Sequence, residues 1–389
     1  MRKQTLLTAV LTAMVLTSCG GGASGPAEKV LSKKIYTQLA GKYQEIYDFQ
    51  NGVARVMADG RQYGLINGKG QEIVPANVYY IDHPIDGMYV ACTQDNKYGA
   101  YNEKGKLVIP FEYDDISDFC DGYARVRKGQ YSSESKYGFV DKTGKVVVPV
   151  NYDHASEGFS EGLAVVGMDG EQSDLYGYVN AKGEEVIPLQ FKNADIFSEG
   201  MAAVRMKTGW GYINKKGELA TSAKYYDAYP FSDGLAVVEG ENNYSVINKT
   251  GELVFNLAAG VEPGEQFHEG MLLVFKNKGK KFGYYNKEGQ QAIPFQYDCA
   301  DGFKDGKALV ATLQNKSVTL NTIDKNGTVT GTISSFDELD DYDYVEDLCY
   351  DAMYLMKSAE SVSSTLSGIL DELEEFTDDE DDYDDDDDW

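Results

Sequence analysis

Residues 176–191 read Tyr176-Gly177-Tyr178-Val179-Asn180-Ala181-Lys182-Gly183-Glu184-Glu185-Val186-Ile187-Pro188-Leu189-Gln190-Phe191. Tyr176–Val179 and Glu185–Ile187 are two β-prone runs, and Asn180-Ala181-Lys182-Gly183 joins them. Asn bonds its own backbone, and Gly supplies the positive φ that closes a hairpin of the type-I-plus-bulge kind. Upstream, Leu163-Ala164-Val165-Val166 is a third apolar run. Pro188 lacks an N–H and is expected to stop the ladder at the strand end. Gly177 has no side chain, so a neighbouring ring or backbone can approach it closely. The stretch therefore predicts a meander of three strands, or four if Tyr152–Phe159 is extended.

The pattern recurs through most of the 389 residues. The Asn/Asp-x-x-Gly tetrad ends at Gly70, Gly105, Gly144, Gly183, Gly217, Gly251, Gly289 and Gly327, at steps of 34 to 39 residues. Four residues before the Asn or Asp stands an aromatic in seven of eight cases: Tyr63, Tyr98, Tyr137, Tyr176, Trp210, Tyr244 and Phe282. Pro follows the turn Gly by five residues at Pro75, Pro110, Pro149, Pro188 and Pro294, with Tyr113, Tyr152, Phe191 and Tyr297 three further on. A second turn pairs an acid or amide with Gly, as in Glu161-Gly162 and Glu199-Gly200, and Phe precedes that Gly by three residues in seven of eight units. One such unit cannot bury its aromatics alone, whereas stacked neighbours can. The expected fold is all-β: eight tandem hairpin or meander repeats over residues 43–335, stacked as an open superhelical or propeller-like array.

The run Tyr/Trp-Gly-Tyr-Ile/Val-Asn-x-x-Gly-x-x-Val-Ile-Pro, then Tyr-Asp, then Phe-Ser-Glu-Gly-Leu-Ala-Val-Val resembles the WG-repeat proteins. The namesake dipeptide occurs once, as Trp210-Gly211, with Tyr or Phe replacing Trp elsewhere. Tyr244-Ser245 departs from the pattern, and so does Leu320-Asn321 in the eighth unit, as suits a terminal capping repeat. The resemblance implies a β-repeat fold of a kind common in bacterial lipoproteins and secreted proteins. It implies no general activity.

The two ends read differently from the repeats. Arg2 and Lys3 precede an apolar run from Thr5 to Thr17, too short to span a bilayer and shaped like a secretory signal. Leu16-Thr17-Ser18-Cys19 resembles a lipoprotein lipobox, which implies a signal peptide over 1–18 and Cys19 as the lipidated first residue of the mature protein. Gly20, in place of Asp, looks like the pattern sorted to an outer membrane. Residues 19–42 form a tether and lead-in rich in Gly, Ser and Ala. Past Ser335, Val345, Leu348, Ala352, Leu355, Ala359, Val362, Leu366, Ile369 and Leu373 step by 3 and 4, which predicts one C-terminal helix within 336–376, covering the end of the array, the alternative being self-association as a coiled coil. Residues 377–389 are nearly all Asp, and their mutual repulsion predicts a disordered tail.

Charge sharpens this division. The chain carries 36 Lys plus Arg against 63 Asp plus Glu, a net of −27. Of this, −22 lies between Asp337 and Trp389, so the repeats are nearly balanced. That balance argues against nucleic acid, since nothing would neutralise a row of phosphates.

Little in the sequence points to chemistry. His83, His154 and His268 sit at different columns without metal spacing, so no metal ligands are assigned. No phosphate loop or nucleophile elbow appears, and no cofactor is expected. The repeated acids invite a glycosidase reading, but recurrence at one turn is what a structural turn demands. The Asp run lacks the shaped oxygen set that Ca²⁺ needs. Cys92, Cys120, Cys299 and Cys349 show no regular spacing and read as small buried residues rather than a disulfide framework.

The function expected is a non-catalytic, lipid-anchored scaffold for protein–protein interaction at the bacterial envelope, the alternative being a glycan-binding or glycan-cleaving surface lipoprotein. The recognition surface is expected at Ser132–Lys136, Asp169–Leu175 and Asn256–Gln266, the longest departures from the repeat. A Cys19→Ser variant is expected to lose lipidation and appear in the soluble fraction. Fractionation showing it membrane-bound with an uncleaved leader would refute the anchor.

Overall fold

The computed structural model describes residues 39, 41–50, 52–129, 134–170, 173–241, 243–276, 281–314 and 317–336. They divide into two compact bodies, one of residues up to 274 together with 286–290, the other of 275–276, 281–285 and 291–336. Among the described residues, the strands form eight antiparallel sheets, in chain order 45–78, 80–113, 115–152, 154–191, 193–214, 227–256, 261–297 and 299–336. In each, hydrogen-bonded neighbours follow chain order. The fourth sheet shows the plan: His154–Ala155, Leu163–Met168, Leu175–Asn180 and Glu185–Phe191. The eight repeats are as expected, and the optional first strand is real though short. In the fifth sheet the fourth strand shrinks to the isolated bridges Ile213↔Leu219 and Trp210↔Tyr225. The leader with Cys19, the C-terminal stripe and the acidic tail lie outside the described residues.

The proline expectation needs correcting. Pro188 does not end its strand; Glu185–Phe191 runs through it. The register passes from Tyr178↔Ile187 directly to Tyr176↔Phe191, so the strand bulges outward at residues 188–190. A proline is tolerated there because a residue in the bulge is not called on to donate to the ladder. The bulge also explains the facing glycine. A Cβ on Gly177 would lie 2.5 Å from the Ile187 carbonyl oxygen and 2.7 Å from the Pro188 carbonyl carbon. The same crowding recurs at Gly138 against Val148 and at Gly283 against Ile293. Gly and Pro, eleven residues apart in the motif, are thus two halves of one contact.

The exceptions follow the same rule. Ser245 replaces Gly where Asn256 replaces Pro, and Ser245 Oγ donates to Asn256 Oδ1 at 2.8 Å. At the eighth sheet Thr332 Oγ1 donates to Asn321 Oδ1 at 2.8 Å across the equivalent positions. Ser245 faces Asn256 in unbroken register, whereas in the eighth sheet a single-residue shift remains between Leu320 and Asn321; in both, a side chain fits and a polar pair spans the gap.

The tetrad turn behaves as its chemistry dictates. Asn180 Oδ1 accepts from the N–H groups of Lys182 at 2.9 Å and Glu184 at 3.0 Å, and Gly183 adopts φ +77°. Gly183 has a second duty. Its hypothetical Cβ would stand 2.6 Å from the Val147 carbonyl oxygen of the preceding repeat, so the turn is pressed against the neighbouring fourth strand.

The core is shared between repeats. Tyr178, Tyr212 and Tyr284 are fully buried, each on a third strand. Each ring meets a Phe of the following repeat, with centroids 4.8 Å apart for Tyr178–Phe197, 4.7 Å for Tyr212–Phe231 and 5.0 Å for Tyr284–Phe303. The hydroxyls donate to carbonyls of that same repeat, at Asp195 (2.7 Å), Tyr229 (2.6 Å) and Asp301 (2.7 Å). A buried phenol is thereby satisfied only by the next unit.

Gly177→Ala is expected to cost about 1–3 kcal/mol, because the bulged backbone must move. Ser245→Gly, at the same column without a bulge, is expected to stay within about 1 kcal/mol of the parent. Chemical denaturation of both variants measures the contrast; equal losses would show that the bulge does not impose the glycine.

Candidate functional site

Each sheet has one end whose connections are constant and one whose connections vary. At the constant end, third and fourth strands are joined by four residues in six sheets, as at 181–184 and 287–290. At the opposite end, second and third strands are joined by anything from two residues (315–316) to seven (129–135). Loop variation over a rigid frame marks where recognition is built.

The constant end is occupied by bonds between repeats. Asp86, Asp121, Glu161, Glu199, Asp233, Glu269 and Asp305 adopt φ between +51° and +55°, each followed by a Gly of positive φ. That is the two-residue type I′ hairpin turn. The acid side chains then reach into the next repeat. Glu161 accepts from the Gly200 N–H at 3.0 Å and pairs with Lys215 at 3.0 Å. Glu199 does the same with Gly234 at 2.9 Å and Lys249 at 3.1 Å, and Asp86 with Gly122 at 3.0 Å and Lys142 at 2.6 Å. Burial pushes the Glu199 carboxyl up, but Lys249 and the backbone donors outweigh it and hold it below its ordinary value. Serines beside these turns add a further tie: Ser160, Ser198 and Ser232 donate to the carbonyls of Phe197, Phe231 and Phe267 at 2.6–2.7 Å. The sequence assigned the repeated acids to turns; their role as bolts between repeats was not visible in it.

The variable end has its own recurring bond, made in three repeats. The Asp that follows Tyr113, Tyr152 or Tyr297 joins a Lys to the backbone of the following repeat. Asp114 meets Lys97 at 2.6 Å and accepts from Gly129 at 2.9 Å; Asp298 meets Lys281 at 2.6 Å and accepts from Leu313 at 2.7 Å. Asp153 likewise holds Lys136 and the Asp169 N–H. The residues at this column share one backbone bond, to the carbonyl at the end of the next second strand: Asp114 to Arg127, Asp153 to Gly167, Asp298 to Ala311. Gln44 to Met57, Tyr79 to Cys92, Lys192 to Arg205 and Tyr226 to Glu239 occupy the same column. At two of these places the ion-paired Asp is replaced by a tyrosine, 56% exposed at Tyr79 and 60% at Tyr226.

Tyr79 opens a cleft of about 320 Å³ lined by Arg61, Tyr63, Tyr80, Cys92, Asn96 and Tyr98. Arg61 and Asn96 hold φ of +57° and +56° at the tips of the two hairpins flanking it. The repeat aromatics Tyr63, Tyr98, Tyr137, Tyr176, Trp210, Tyr244 and Phe282 are half-buried beside the variable connections, not fully in the core. Arg55 lies over Tyr47 at 4.2 Å and over Tyr63 at 5.4 Å, and Arg125 over Tyr137 at 5.3 Å. Of the loops expected to recognise a partner, the described parts of 132–136 and 169–175 are at this end. The third is not a loop throughout: Val261–His268 is the first strand of the seventh sheet.

Acids also gather where the first strands run into the turns, a column five residues before the turn Gly that includes Asp82, Glu157, Asp195 and Glu265. Burial, with the charges of Asp82 and Glu157, raises Asp118 to about 6. Burial also raises Asp195, against the N–H of Ile196 and with help from Glu265 and Asp227. His83 is lowered by burial and by Arg55. His154 meets Asp169 at 2.8 Å and Asp174 at 3.6 Å, partners that sequence spacing did not reveal. Cys92 and Cys299 are buried, as expected. Cys120 is disulfide-bonded, against expectation, since pairing is decided by proximity in the fold rather than by spacing.

Asp118 yields a pH test. Folded Asp118 binds its proton below about 6, whereas an unfolded Asp does so only below about 3.9. The folded state therefore holds the extra proton between these values, and stability falls as pH rises through 6. Asp118→Asn is expected to melt higher than the parent at pH 7.5, with the gain shrinking below pH 6, as thermal melts across that range would show.

No curated protein sequence matches the chain. Among solved structures it is similar to apo AztD from Citrobacter koseri (TM-score 0.38, 13% identity, covering 75% of this chain and 93% of that one). It is similar also to Hsv2p of Kluyveromyces lactis (TM-score 0.38, 10% identity, 66% and 98% covered) and to the WD40 beta propeller domain of Doa1 (TM-score 0.27, 11% identity, 66% and 82% covered). The model of the WG containing repeat matches residues 39–61, 63–98, 98–131, 137–171, 176–207, 210–244 and 282–312. The unmatched stretch 245–281 begins at Ser245 and contains Asn256, where the Gly–Pro contact is lost. With the match covering more than half of the chain, the protein belongs to the WG-repeat family.

Proposed function

We propose that this protein is a non-catalytic binding scaffold that presents the variable end of its repeats to a protein partner. The supporting observation is the column at which Tyr79 and Tyr226 stand in place of an ion-paired Asp. An Asp there bonds two repeats together, whereas a tyrosine gives up that bond and offers an exposed ring. Large amphipathic rings of this kind provide contact area at low entropic cost and concentrate at interfaces. The carboxylates at the opposite end are engaged in bonds between repeats, so recognition falls to the loops and rings. We further propose, from the lipobox-like Leu16-Thr17-Ser18-Cys19, that the scaffold is tethered to the bacterial envelope through a lipid on Cys19.

One observation favours a second reading. The cleft at Tyr79 is lined by four tyrosines with Arg61 and Asn96, a combination of stacking faces and hydrogen-bond donors suited to a sugar ring.

A photo-crosslinking residue placed at Tyr79, at Tyr226 and at the exposed Val254 on a fourth strand separates the readings. Discrete protein adducts at the two tyrosine positions in cells, and none at Val254, are the expected outcome. No adduct at either tyrosine, together with saturable binding of a soluble oligosaccharide that Tyr79→Ala abolishes in calorimetry, would overturn the protein-partner reading and establish the glycan one.

A further inference from the structure

From His154, Asp169 and Asp174 we infer a divalent transition-metal site of the zinc type at the variable end of the fourth sheet. The sequence separates these residues by a strand and a hairpin connection. The fold returns them to one point: His154 opens the short first strand, opposite Gly167 in the register, and the two aspartates flank the second-to-third-strand connection. The nearest ligand atoms, His154 Nε2 and one carboxylate oxygen from each Asp, all lie within 4.8 Å of one another. Nε2 is 2.8 Å from Asp169 Oδ1 and 3.6 Å from Asp174 Oδ2. A four-coordinate Zn²⁺ with bonds of about 2.0–2.1 Å separates adjacent ligand atoms by roughly 3.3 Å, so small rotations bring this set to coordination geometry. One imidazole with two carboxylates selects a borderline ion over Ca²⁺ or Mg²⁺, which take oxygen ligands in larger number.

Two observations independent of that spacing support a built site. The first is steric. Gly167 has an ordinary negative φ, yet a Cβ there would stand 2.8 Å from the Tyr176 ring and 3.2 Å from the His154 Cβ. Its absence lets His154 lie beside Tyr176, centroids 5.3 Å apart, with Nε2 turned to the aspartates. In other repeats the residue opposite this strand position is Cys92, Arg127, Arg205, Glu239 or Ala311. The second is electrostatic. Among the described residues neither Asp169 nor Asp174 is paired with a Lys or Arg; the nearby Lys136 is held by Asp153. Two carboxylates share one imidazole, and a cation resolves their repulsion. Asp169 is further fixed through its backbone N–H, which donates to Asp153 at 3.1 Å.

The test uses the full chain titrated with Zn²⁺ in calorimetry, and with Co²⁺ followed by visible d–d absorption. One stoichiometric Zn²⁺ step and the absorption of low-coordinate Co²⁺ are expected, together with a rise in melting temperature. His154→Ala and Asp174→Asn, the latter at a half-buried loop position, should each remove the step, with far-UV circular dichroism unchanged for Asp174→Asn. Gly167→Val should weaken it by crowding His154. A parent chain that takes up no stoichiometric Zn²⁺ would overturn the site. So would a step that survives both His154→Ala and Asp174→Asn, which would assign the ion to the acidic C-terminal run instead.

Discussion

A buried phenol whose hydrogen-bond partner belongs to the next repeat is the contact on which this fold depends. Tyr178, Tyr212 and Tyr284 have no solvent exposure, and each hydroxyl is satisfied by a carbonyl one repeat further along. Without the following repeat these rings would lose the apolar face they pack on, and the hydroxyls their protein partners. In a repeat array of this kind, stability is approximately a sum of repeats and the interfaces between them. The other recurring bonds add to the same boundary: carboxylate to turn N–H, lysine to carboxylate, serine to phenylalanine carbonyl, glycine turn against the preceding strand.

Concentrating the bonding at boundaries frees one end of each sheet. The Asp/Glu-Gly and Asn-x-x-Gly turns are locked because they touch neighbours, which explains why one of them keeps a four-residue connection through most sheets. The second-to-third-strand connections touch less and vary more. At Tyr79 and Tyr226, two of the places that lack the inter-repeat ion pair, the chain exposes aromatic surface, and one of those places is also a cleft. In the fourth repeat the same freedom lets an imidazole bend towards two aspartates over a glycine. A repeat frame with local exceptions is how one architecture acquires sites of different chemistry.

Much of the local structure was legible in the residues. Asn180 and its equivalents bond their own backbone whatever surrounds them, so the tetrad announced its turn and its phase. The Gly after the aromatic was recognisable as a point of close approach, though not what approaches it. The proline was misread as a strand end, because a missing N–H is equally compatible with a bulge, and only the partner strand shows which applies. The acids of the second turn read as turn formers, since αL geometry favours short polar side chains; the lysines that hold them come from another part of the chain.

The sequence by itself determined the all-β class, the number and period of the repeats, their turn chemistry and the family, because each of these rests on contacts within some ten residues. Tertiary structure alone decided which tyrosines are core and which are exposed: Tyr178 packs on Phe197 of the next repeat, whereas Tyr79 stays 56% exposed. It alone decided that Cys120 is bridged and that His154, Asp169 and Asp174 meet. These are contacts between residues whose separation along the chain carries no period, and they exist only once the strands between them have paired.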